Sequence, residues 1–133
     1  MRVNVGDVVL AKYMNFDGEI SFGLFAICYH ECYDNPVSTN FTAIKVCTRS
    51  GCYQINLLKR SLPFLEHDSF LNCNMQFRFR EDQVLKICGR LTPYYCNKML
   101  QQVMNYNFAM NRQLQDLIGD DIFEDLKDRI SNS

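Results

Sequence analysis

The sequence predicts an α+β domain: a small β-barrel or strongly bent sheet over residues 1–91, followed by helices over 92–133. Three observations carry this. Short stretches of alternating apolar and polar residues recur between turn signals from Val8 to Leu91. Thr92-Pro93 then combines an N-capping side chain with proline at the first helical position. Beyond it, Cys96, Met99, Leu100, Val103 and Met104 recur at helical spacing.

The elements follow in order. Val8-Val9-Leu10-Ala11-Lys12-Tyr13 reads as the first strand, and Asn15-Phe16-Asp17-Gly18 as a loop with an Asp-Gly turn. Gly23 to Tyr29 reads as a buried second strand. A longer loop follows, marked by Asp34-Asn35-Pro36 and Ser38-Thr39-Asn40. Phe41–Cys47 and Cys52–Leu57 both alternate, and the tight connection Thr48-Arg49-Ser50-Gly51 predicts that they pair as a β-hairpin. Arg60–Phe64 breaks the pattern. Ser69–Cys73 and Met75–Phe79 supply further alternation, and Gln83–Leu91 is another strand. The helical spacing runs less regularly through Phe108, Met110, Leu114 and Leu117, and Gly119 interrupts it. Ile122, Phe123, Leu126 and Ile130 then predict a short acidic amphipathic helix, in a tail that turns acidic from about residue 116.

A chain of 133 residues fits one domain, 1–133. With 47% hydrophobic and 22% charged residues it is expected to fold. No apolar run approaches the ~20 residues of a membrane span, and the opening residues do not read as a secretory signal, so a cytoplasmic protein away from membranes is expected. Seven cysteines in such a chain argue against an oxidising compartment. Cys28-x3-Cys32 and Cys47-x4-Cys52 approach zinc-ligand spacing. Their apolar flanks favour small buried hydrophobes instead, and no metal is expected. No phosphate-loop, dinucleotide-binding or zinc-deaminase motif occurs, so no cofactor is expected.

Charge is uneven. Residues 45–90 hold eight basic and four acidic side chains, whereas residues 111–133 hold three basic and six acidic. Lys45, Arg78 and Arg80, interleaved with Tyr53, Phe64, Phe77 and Phe79, would suit single-stranded nucleic acid by phosphate pairing and base stacking. An ordinary solvated sheet face accounts for the same pattern.

Three motifs, in this order, resemble the MazF/PemK-like toxins, small SH3-like barrel proteins that cut RNA without a metal. They are Val5-Gly6-Asp7-Val8-Val9-Leu10-Ala11; Ile44-Lys45-Val46-Cys47-Thr48-Arg49-Ser50; and Asp68–Cys73 with Ile87-Cys88-Gly89-Arg90-Leu91-Thr92 leading into a helix. The family begins its second strand with Arg-Pro; here Ser21-Phe22-Gly23-Leu24 stands in that place. The resemblance implies an endoribonuclease acting on single-stranded RNA, a homodimer, and an antitoxin or other protein partner lying across the RNA groove. By motif position Thr48 is the catalytic hydroxyl, Arg49 the guanidinium that replaces the family's arginine, and Ser50 a second hydroxyl. Lys12, Lys45, Arg78 and Arg80 are the RNA-binding candidates. The alternative is a toxin-fold protein that binds an RNA or protein partner without cutting.

The chemistry would use the substrate's own 2′-OH as nucleophile, with the protein moving protons and offsetting charge on the phosphate. His30 and His67 are the only histidines. His67 reads as a solvated turn residue, and His30, after the second strand, as a weaker candidate for the same groove.

Overall fold

A computed structural model describes residues 2–31 and 40–118. Six strands form one antiparallel sheet: β1 (Asp7–Met14), β2 (Ile20–Glu31), β3 (Asn40–Cys47), β4 (Gln54–Leu57), β5 (Ser69–Arg80) and β6 (Val84–Arg90). A 3-10 turn at Glu81–Gln83 joins β5 to β6, and one helix, α1 (Pro93–Ile118), follows. The predicted acidic helix, the 32–39 loop and Cys32 lie outside the described residues.

The strand order is β4-β5-β3-β2-β1-β6. Two expectations are corrected by it. β3 and β4 do not form a hairpin: β5 lies between them and pairs with both. Alternation identifies strands but not partners, and β5 offers one hydrogen-bonding edge to β3 and the other to β4, Phe70 and Leu71 pairing with both. The sheet is also not closed into a barrel, since β4 and β6 are its two edges. The stretches Ser69–Cys73 and Met75–Phe79, read as separate, form the single strand β5 with a slip: Ile44 faces Gln76 while Val46 faces Leu71. The Gln76 amide donates to the Cys73 carbonyl across this bulge at 3.2 Å.

Period-2 alternation divides the sheet into two apolar faces. Val8, Ala26, Ile44, Leu57, Leu71 and Cys73 lie on one, where Leu62, Leu65, Tyr95 and Met99 cover them. Val9, Ala11, Phe25, Ile27, Phe41, Ala43 and Phe79 lie on the other, with edge-to-face contacts of Phe25 to Phe77 and Phe79 at 5.3 Å.

The opening and closing motifs meet. Asp7 faces Arg90 across β1 and β6, and Arg90 Nη1 lies 3.4 Å from the buried Asp7 carboxylate, which also accepts from the Asn4 amide at 2.8 Å. Gly6 takes a positive φ of 93°, donates to Ile27 and accepts from Leu91, both at 2.8 Å. Gly6-Asp7 and Gly89-Arg90-Leu91 thus fix where α1 starts. The Thr92 cap is present, its Oγ1 accepting from the Tyr95 amide at 3.4 Å. Tyr95, Met99 and Val103 pack on the sheet, while Leu114 and Leu117 lie past it and are exposed.

Candidate functional site

Where β1, β2, β3 and β6 meet the 64–69 segment, the helix-bearing face of the sheet opens into a groove of about 560 Å³. Leu10, Leu24 and Val46 contribute from neighbouring strands to its apolar lining, because all three point to the same side of the pleat. Phe64, Leu65 and Ile87 also line it. Thr48, Glu66, His67, Ser69 and Lys86 add polar groups to the lining, with Cys47 and Cys88 between them.

Local structure positions each group. Thr48 follows the last residue of β3, so the strand delivers its hydroxyl to the groove's rim. Lys86 faces Leu10 across β1 and β6 and therefore shares its face. The segment carrying Phe64, Glu66 and His67 is anchored by buried Leu62 and Leu65. Its ends are tied by Lys59, whose amide donates to Asp68 Oδ1 at 2.8 Å and whose Nζ donates to the Glu66 carbonyl at 3.1 Å. Phe64 rests on Gly89: a Cβ there would lie 2.5 Å from Phe64 Cε1. Neither Glu66 nor Lys86 has an ion-pair partner among the described residues.

His67 Nδ1 lies 3.1 Å from the Asp68 carbonyl, and the Ser69 hydroxyl donates to the His67 carbonyl at 3.0 Å. Ser69 Oγ also lies 3.3 Å from Nδ1, so that edge of the ring has two partners, and the tautomer with its proton on Nδ1 presents Nε2 as the basic nitrogen. An imidazole, two hydroxyls and an ammonium thus line one groove. Together they can take a proton, bind a phosphate oxygen and offset negative charge.

The candidate residues distribute unevenly. Thr48 lines the groove. Arg49 and Ser50 are exposed on the connection that follows and do not line it. Buried Asn72 holds that connection, its Nδ2 donating to the Arg49 carbonyl at 3.0 Å, and its amide lies against Gly51. Lys45 lies on the opposite face, where its Nζ donates to Tyr13 Oη at 2.7 Å and sits 4.9 Å from that ring's centroid. This bond holds the Tyr13 phenol below its usual 10.0. Lys12 is exposed on the groove's side of β1 without lining the groove. Arg78 and Arg80 face Thr42 and Asn40, the far end of β3, roughly 20 Å from Thr48 at ~3.3 Å per residue. Arg80 is 3.2 Å from Asp82. Half-buried His30 stacks on Phe41 of the other core, with centroids 4.9 Å apart, and does not line the groove. Phe22, in the stretch where the resemblance places an arginine, is 59% exposed and faces Lys12.

The sequence points to Phe64 as a stacking aromatic but does not single out Glu66, Ser69 or Lys86 for the site. The signal for Lys86 was available only through register, since a lysine on an edge strand is otherwise unremarked. Burial pushes the Cys28 thiol up to about 11 and Cys73 to about 12, and raises Cys47 as well. Of the thiols expected to be small buried hydrophobes, Cys28 is in the core, but Cys47 is only half-buried and Cys52, on the connection after β3, is exposed; Cys73 is also a core residue. Among the described residues, no three His, Cys, Asp or Glu side chains group to hold a metal, and no helix is long and apolar enough to cross a membrane.

No family model and no curated protein matches the sequence. Among solved structures, the chain is similar to an endoribonuclease in complex with its cognate antitoxin from Mycobacterial species. The TM-score is 0.59 at 14% identity, over 79% of this chain and 94% of that one. The fold is therefore that of a toxin endoribonuclease, as the three motifs implied.

Proposed function

We propose that the groove binds single-stranded RNA and cleaves it by attack of the 2′-OH on the adjacent phosphorus, with no metal taking part. The observation that carries this reading is the meeting of Thr48, His67 and Lys86 in one groove of a toxin-endoribonuclease fold. His67 Nε2 takes the 2′-OH proton as the oxygen bonds to phosphorus. The Thr48 hydroxyl donates to a non-bridging oxygen, and Lys86 offsets the charge that grows there. The departing 5′-oxygen takes a proton from solvent or from protonated His67, leaving a 2′,3′-cyclic phosphate. Under this reading the chain is a cytoplasmic homodimer restrained by an antitoxin or another protein partner.

The test is cleavage of a mixed-sequence RNA by purified protein in EDTA. Thr48→Ala and Lys86→Ala are each expected to lose ten- to a thousandfold in rate, the range for removing one donor from a charge-stabilising site. Arg80→Ala, far from the groove, is expected to match wild type. Equal rates in all four proteins would refute this assignment.

One observation favours a second reading, a protein that binds RNA or a protein without cutting. The family's arginine is absent, and exposed Phe22 occupies its stretch. RNA binding weakened by Lys86→Ala, with no cleavage by folded wild type, would select it.

A further inference from the structure

Glu66 is unexplained by phosphate chemistry. A carboxylate beside a polyanion is unfavourable unless it contacts the polymer's hydrogen-bond donors, and phosphates carry none at neutral pH. Single-stranded RNA carries donors on its 2′-hydroxyls and on the Watson–Crick edges of its bases. The groove around Glu66 suits a base. Phe64 presents an aromatic ring, Leu10, Leu24 and Val46 an apolar surface, and Lys86 a cation without an ion-pair partner among the described residues.

The segment carrying Glu66 is also held in place. Leu65 before it is 2% exposed, Phe64 rests on Gly89, and the Glu66 carbonyl is tied to Lys59. A carboxylate offers two acceptor oxygens side by side. Guanine alone among the four bases presents two neighbouring N–H groups, N1–H and N2–H, on its Watson–Crick edge. Cytosine and adenine offer one exocyclic amino group there, and uracil one ring N–H.

We propose that Phe64 and Glu66 form a subsite that reads guanine in single-stranded RNA. The base stacks on Phe64, the Glu66 carboxylate accepts from N1–H and N2–H, and Lys86 holds an adjoining phosphate. This rests on the RNA reading above and gives it a sequence preference. A bidentate contact of this kind corresponds to about a ten- to hundredfold preference over the other bases.

The test is fluorescence anisotropy with labelled UUGUU, UUAUU, UUCUU and UUUUU, using wild type and Glu66→Gln. Glu66 is exposed, and a thermal melt checks that the variant folds. UUGUU is expected to bind wild type about ten- to a hundredfold tighter than the other three. An inosine pentamer, which lacks the N2 amino group, should fall between. In Glu66→Gln the preference for guanine should vanish while the other pentamers bind at least as tightly as before. Equal binding of all four by wild type overturns the subsite and leaves the RNA reading standing. So does a guanine preference that survives Glu66→Gln. Failure of wild type to bind any pentamer overturns both.

Discussion

Gly89→Ala tests how the groove's aromatic side is held. Gly89 lies in β6, and its φ is not among the positive values of the described residues. On backbone grounds alone alanine would fit, and by restricting the unfolded chain it would stabilise by roughly 0.4–1 kcal/mol. The side chain that meets the new methyl decides the sign. A Cβ at Gly89 would lie 2.5 Å from Phe64 Cε1 and 2.6 Å from Cγ, with Cδ1 closer still. Real carbon–carbon contacts sit near 3.5–4.0 Å, so the ring must move by about an ångström or swing out. Forced repacking of this kind costs ~1–3 kcal/mol. Net destabilisation of about 1–2 kcal/mol is expected once the backbone gain is subtracted. For a domain of this size that lowers the melting temperature by roughly 3–8 °C. Urea and thermal unfolding of wild type, Gly89→Ala, Phe64→Ala and the double variant complete a cycle. The methyl should be tolerated once the ring is gone, so the double variant should cost about 1 kcal/mol or more less than the two singles together. A Gly89→Ala protein as stable as wild type, or costs that simply add, would falsify the claim that this glycine exists to seat Phe64.

Asn72→Ala removes the bond to the Arg49 carbonyl and should cost about 1–2 kcal/mol by urea unfolding. It should also render Gly51→Ala harmless, because the Asn72 amide is what a Cβ at Gly51 would meet at 2.8 Å. With a thiol reagent at pH 8, exposed Cys52 should react first among the described cysteines, and Cys28 and Cys73 only as the protein unfolds. Their raised pKa values also set a stability window. The neutral thiols' contribution is complete below the usual 9.0 and is lost as pH rises through about 11 for Cys28 and about 12 for Cys73. A stability curve that rises between pH 9 and 11 would contradict this. Ultraviolet titration should find Tyr13 ionising below the usual 10.0, and Lys45→Met should move it upward by removing the bond that holds it down.

Local rules made much of the fold legible. The alternation in Phe41–Cys47 marks a strand because side-chain direction in an extended chain repeats every two residues, and the β-prone apolar runs in Val8–Tyr13 and Val84–Arg90 mark two more. Asp17-Gly18 marks the β1–β2 turn, where Gly18 has a positive φ of 78° and Asn15 Oδ1 accepts from the Asp17 and Glu19 amides. Thr92-Pro93 marks the start of α1. Each of these signals lies within a few residues of what it determines.

The sequence by itself therefore determined most of the strands, the Asp17-Gly18 turn, the start of the helix and Thr48 as a residue at a strand's end. Only the tertiary structure decided that β5 separates β3 from β4, that the sheet stays open, and that Arg49, Lys45 and Arg78 do not share Thr48's groove. It also brought together Phe64, Glu66, His67 and Lys86, from a loop and an edge strand distant from Thr48 in the chain. The physical reason is pairing register. Which strands meet, and which side chains then share a face, depends on apolar burial summed over the whole sheet. A shift of one residue would turn Lys86 to the other side of β6 without changing any local pattern.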